Sequence, residues 1–163
     1  MKNILVTVDF EKEANRLIEE AFALAKQFGS KVWLLHVAAP DPDFVGYAAG
    51  PQNEIDFRSD ELDKERQTIE QFVRQLKEAG IASEGLLIKG PTVDTILRKI
   101  ENLEIDLVII GHHRHNLFYK TFVGNTDTAL VNRSKIPVLL IPLSNGFVPE
   151  TLPATTEELT IAF

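Results

Sequence analysis

The feature that most constrains this chain is a regular alternation of continuous apolar runs with helical stripes. The first run, "NILVTVDF", is β-branched and aliphatic along residues 3 to 8, the pattern of a strand covered on both faces, as in a parallel sheet. Ala14, Leu17, Ile18, Ala21, Leu24, Ala25 and Phe28 then recur at three- and four-residue steps, one apolar stripe that stops at Gly29, a residue suited to a left-handed C-cap. "KVWLLHV" predicts a second strand, and Ile69, Phe72, Val73 and Leu76, stopping before Gly80, predict a long second helix with a charged outer face. "EGLLIK" reads as strand three. "GPTVDTILRKIENL" reads as a helix opened by Pro91 and Thr92, with Val93, Ile96, Leu97 and Ile100 inward. "IDLVIIG" reads as strand four, Thr126 to Arg133 as a short helix, and "IPVLLIP" as strand five, bracketed by prolines that a strand tolerates at its ends or edges. The resulting order, βαβαβαβαβ, predicts an open, doubly wound α/β fold: a five-stranded parallel sheet with helices on both faces and right-handed crossovers.

Two segments fall outside the pattern, a long connection at 38–54 and an acidic, Pro- and Thr-bearing tail at 144–163. Long connections in small domains tend to be functional. At 163 residues, 44% hydrophobic and 25% charged, the chain has the size and composition of one globular domain, assigned to 1–143 with the tail appended. It has no cysteine, which excludes disulfides, thiolate metal sites and a cysteine nucleophile, and it reads as cytoplasmic. The apolar start is too short for a signal sequence, and no run reaches membrane-spanning length. A formal charge of -7 argues against non-specific nucleic-acid binding, so a phosphate ligand would have to be held locally.

In open α/β sheets ligands sit beyond the carboxyl ends of the strands, where strand order reverses. The candidate residues are therefore Thr7, Val8 and Asp9 after strand one, His36 and Val37 at the end of strand two, and Ile110 and Gly111 at the end of strand four. The helix beginning after Gly124 would aim its unpartnered amides and positive dipole end into the same crevice, which favours an anion.

The opening "ILVTVDF", the strand end "LLHV", the run "IDLVIIG" and the stretch from Gly111 through Gly124 to "IPVLLIP" together resemble the universal stress proteins. The resemblance covers residues 1 to about 143. It implies a Rossmann-like sheet of the adenine nucleotide alpha-hydrolase-like kind, in the order 3-2-1-4-5. Nucleotide-binding members carry glycine, two residues, glycine, nine residues, glycine, then serine or threonine. Gly111 and Gly124 match the first and third glycines, Arg114 stands at the second, and Asn125 stands where the hydroxyl residue is usual.

By this resemblance Asp9 contacts adenine, Val37 offers it backbone hydrogen bonds, and the 111–126 loop, with Gly111, His113, Arg114, Gly124, Asn125 and Thr126, wraps ribose and phosphates. The implied cofactor is ATP, ADP or AMP, with Mg as a companion ion. Arginine at 114 adds bulk together with a fork of donors that can itself grip phosphate. Asp127 adds negative charge beside a polyphosphate, which suits a mono- or diphosphate better. Some branches of the family carry a "GHH" turn and do not bind nucleotide, and others bind with arginine at the second glycine. The resemblance further implies a homodimer paired through strand five (137–141) and a client protein of unknown identity.

Simpler roles stand beside these. Gly111 and Gly124 can be turn formers. Asp9 can cap helix one. His112, His113 and His115 lack the spacing that completes a metal site, and His36 reads as a core histidine. Trp33, Phe22 and Phe28 read as core aromatics, and Phe118, Tyr119 and Phe122 as packing beneath the loop. There is no Walker loop and no nucleophile elbow, and no residue is assigned a catalytic role, a slow ATPase being the most that is expected. Two functions are therefore expected in competition: an adenine-nucleotide-binding regulator of the stress response, or a nucleotide-free module of the same fold that regulates a partner through its edge strand, its 38–54 loop or its tail. An adenylate-transferring enzyme is the weakest reading, because "DFEKE" stands where a glycine- and serine-rich phosphate loop would be needed.

Overall fold

Strand β1 (Asn3–Thr7) has three consecutive residues, Ile4, Leu5 and Val6, with no solvent exposure at all, a condition met only in the middle of a sheet covered on both sides. A computed structural model describes residues 1–10, 14–38, 52–113 and 126–143, the side chains of 52–58 and 113 excepted. After β1 come α1 (Ala14–Phe28), β2 (Lys31–Ala38), α2 (Gln52–Glu78), β3 (Ser83–Lys89), α3 (Thr92–Asn102), β4 (Leu107–His113), α4 (Thr126–Arg133) and β5 (Val138–Leu143). All strand pairs are parallel and the sheet order is β3-β2-β1-β4-β5, as the sequence pattern and the resemblance predict.

Because side chains alternate along a strand, the sheet divides its apolar residues between two layers. Ile4, Val6, Val32, Leu34 and Ile109 pack under α1 and α2, against Leu17, Ile18, Ala21 and Ile69. Leu5, Leu35, Val108 and Ile110 pack under α3 and α4, against Ile96, Ile100 and Leu130. The helices stop where the sequence allows a left-handed residue. Gly29 (φ 63°) and Gly80 (φ 84°) let Ser30 N and Ile81 N donate to Ala25 O at 3.0 Å and Leu76 O at 2.9 Å. The third such stop falls on Glu104 (φ 49°), with Ile105 N donating to Ile100 O at 3.0 Å.

Three boundaries or burials differ from the sequence reading, those of β4, α2 and Phe28, whereas α3 opens at Pro91 and Thr92 as expected. Strand β4 runs two residues past Gly111, because His112 and His113 keep pairing with Pro142 and Leu143 of β5. Helix α2 starts at Gln52, inside the stretch read as a loop, where the polar composition of its first turns hides helical periodicity. Pro91 is the N-cap residue of α3, in extended conformation, and makes no side-chain capping bond. Phe28 is 53% exposed and is not a core aromatic: it ends α1 outside the stripe of Ala14, Leu17, Ile18, Ala21 and Ala25. The predicted tail, 144–163, and most of the 38–54 connection lie outside the described residues.

Candidate functional site

The carboxyl ends of β1, β2 and β4 are brought together by sheet register. Thr7 pairs with Leu35 of β2, and Val6 pairs with Ile109 of β4, so the residues that follow meet at one edge, at the switch point between β1 and β4. Alternation then sorts them. Thr7 and Ile110 share the layer of Leu5 and Val108, and Val37 packs in that same layer, on the side of α3 and α4. Thr7 Oγ1 donates to Ile109 O at 3.5 Å, and Asp9 is exposed. Val8 falls on the opposite side and is buried.

Val8 also fixes the direction in which the chain leaves the sheet. Its N–H donates to Leu35 O at 2.9 Å, and its carbonyl accepts from His36 Nδ1 at 2.8 Å. Nδ1 must carry the proton, since a carbonyl only accepts. The His36 ring lies against Phe10, centroids 4.3 Å apart, and its Nε2 is 3.6 Å from Glu65 Oε2 on α2. His36 is thus the core histidine the sequence suggested, and it does something specific there, pinning the peptide immediately before Asp9.

Gly111 has a packing reason for its missing side chain. A Cβ there would come within 2.3 Å of Leu143 Cδ1 and 3.7 Å of Leu17 Cδ1, on the α1 side of the sheet. His112, next along the strand, is part-exposed, and Nδ1 donates to Oδ2 of Asp127 in the first turn of α4. The other carboxylate oxygen of Asp127 accepts from the Thr128 amide at 2.6 Å and from Thr128 Oγ1 at 3.4 Å. Asp127 is only 8% exposed. Burial pushes its carboxyl pKa up, but the hydrogen bonds from His112 and the Thr128 amide outweigh that and hold it below the usual carboxylate range.

Of the residues expected at the site, Thr7, Val8, Asp9, Val37, Ile110 and Gly111 lie at this edge. Thr126, half-buried, is the first residue of α4. His113 is described only as the last residue of β4, and Arg114, Gly124 and Asn125 lie outside the described residues. The pairing of His112 with Asp127 escapes sequence reasoning, because its members stand fifteen positions apart on two elements. Among the described residues no group of three or more His, Cys, Asp or Glu could hold a metal ion, and no helix is long and apolar enough to cross a membrane.

Comparison with known proteins places these features in company. The model of the universal stress protein family matches residues 1–142. A universal stress protein A from Yersinia pestis is 28% identical over 145 residues, covering 87% of this chain and 92% of that protein. A universal stress protein from Lactobacillus plantarum superposes with a TM-score of 0.69 at 21% identity, over 86% of this chain and 97% of that one. Two further structures have the same fold: a universal stress protein in complex with cAMP (TM-score 0.60, 19% identity, 88% and 98% covered) and one from Archaeoglobus fulgidus in complex with dAMP (TM-score 0.59, 17% identity, 86% and 97% covered).

Proposed function

Because the chain belongs to the universal stress protein family, we propose that it binds an adenine nucleotide (AMP, ADP or ATP) in the crevice beyond β1, β2 and β4 and acts as a stress-responsive regulatory module. The observation that carries the reading is the gathering of Thr7, Val37 and Ile110 on the face where α4 presents its amino end, at the point where strand order reverses. The neighbours solved with cAMP and dAMP support the same ligand class.

In this reading Asp9 and the backbone of Val37 hold adenine, and Gly111, His113, Arg114, Gly124, Asn125 and Thr126 surround ribose and phosphate. Mg accompanies the longer phosphate chains. Occupancy biases contacts with a client protein in the cytoplasm, and the protein works by binding, with ATP hydrolysis at most slow. A homodimer through β5 fits the same scheme: β5 is an edge strand and its Leu140 is 40% exposed.

The test is thermal unfolding with and without millimolar AMP, ADP and ATP. A ligand that binds only the folded state, at about a hundred times its Kd, adds about 2.7 kcal/mol and raises Tm. We expect a rise that is lost in Asp9→Ala, whose exposed side chain has little part in the core. No rise with any of the three would leave the nucleotide-free interaction module as the reading of this chain.

A further inference from the structure

Helix ends of this kind attract anions because the first-turn amides have no intrahelical acceptor and the dipole is positive there. In this chain one of those amides is already taken. Thr128 N–H donates to Asp127 Oδ1 at 2.6 Å, while Asp127 Oδ2 accepts from His112 Nδ1 on β4. The Asp127 side chain is largely buried, and His112, itself part-exposed, anchors it to the strand that forms the floor of the crevice.

We propose that the buried Asp127 carboxylate, held by His112, is a built-in anion that occupies part of the α4 amino end and so sets ligand preference, favouring an adenosine monophosphate over a triphosphate. The inference rests on the nucleotide-binding reading and narrows it. A single phosphate can share the amides that remain. A triphosphate brings several more negative charges toward a fixed carboxylate, and in this partly buried place like-charge repulsion over several ångströms amounts to about a tenfold change in affinity.

A merely structural role for the pair would affect both ligands alike, which makes the ratio of affinities the informative quantity. Isothermal titration with AMP and with ATP gives Kd(ATP)/Kd(AMP) for the native protein, for Asp127→Asn and for Asp127→Ser. Both replacements keep a side chain able to accept from the α4 amides and remove the charge. Unfolding curves without ligand establish that each variant is folded, and the second replacement serves where the first does not fold. The expected results are a ratio above one in the native protein and a fall of about tenfold in the variants. A native preference for ATP, or a ratio that stays the same while both nucleotides bind, overturns the proposal and leaves nucleotide binding standing. Failure of the native protein to bind either nucleotide removes the proposal together with the reading beneath it.

Discussion

His36 and His112 sit near the carboxyl ends of the two strands that flank β1, yet they serve opposite layers of the molecule. His36 donates to the Val8 carbonyl, lies against Phe10 and approaches Glu65 on α2, on the side where α1 and α2 cover the sheet. His112 donates to Asp127 on the α3 and α4 side, and so ties a strand to a helix end. Both use Nδ1, and the acceptor makes the difference. A backbone carbonyl makes His36 a fixture of chain geometry. A buried carboxylate makes His112 part of the electrostatics of the crevice. The α1/α2 layer therefore supports the chain as it leaves β1, and the α3/α4 layer is the one whose polar end faces the proposed ligand.

The largest expected effect tests this division of labour through the two cores. Leu17 of α1 and Leu130 of α4 are both essentially unexposed, and truncating either to alanine removes burial and leaves a cavity, at about 2–5 kcal/mol. Urea unfolding should show comparable losses for the two. The Tm rise produced by AMP should survive Leu17→Ala and shrink in Leu130→Ala, because Leu130 belongs to the helix proposed to present amides to the crevice. Equal behaviour of the two would break the distinction between support and binding layers.

A smaller effect is expected from His36→Ala, which leaves the Val8 carbonyl without its side-chain donor and Glu65 Oε2, a buried atom with no hydrogen-bond partner among the described residues, without the ring beside it. Stability should fall by about 1–3 kcal/mol. Since Val8 precedes Asp9, AMP affinity should fall as well, although His36 itself is on the far side of the sheet from the proposed nucleotide. Unchanged affinity in a folded variant would show that Asp9 is aimed by something other than Val8.

How much of this was legible in the sequence depends on the range over which each feature is encoded. Strands such as "NILVT" and the stripe from Ala14 to Ala25 advertise themselves locally, because burial on two faces, or on one, imposes a period on neighbouring residues. Gly29 and Gly80 mark helix ends for the same local reason, whereas Glu104 adopts the left-handed conformation with no sequence signal. The strand-end candidates Thr7, Asp9, Val37 and Ile110 followed from topology. What stayed hidden is pairwise and long-range: the reach of β4 to His113, set by β5, the hold of His36 on Val8, and the bond between His112 and Asp127. The exposure of Phe28 was hidden too, since a residue in the last turn of a stripe can fall off the edge of the core that its spacing points to.

The smallest effect expected is a pH dependence that separates Asp127 from its neighbours. Its carboxyl is held below the usual range in the folded state, burial opposing and the His112 and Thr128 hydrogen bonds prevailing. A carboxylate whose folded pKa is depressed stabilises the protein above its unfolded value, about 3.9, and that contribution fades as pH falls through the lower folded value. Asp106 is depressed too, by the backbone amides of Asn3 and Lys2, but it is exposed and common to both proteins compared, so a difference measurement cancels it. The stability gap between native protein and Asp127→Asn should therefore narrow as pH falls below about 4, as protonation turns the native side chain into a neutral one like its replacement. A gap that persisted at pH 2.5 would mean that Asp127 acts through shape and capping alone, which would remove the contrast in acceptor charge that sets His112 apart from His36.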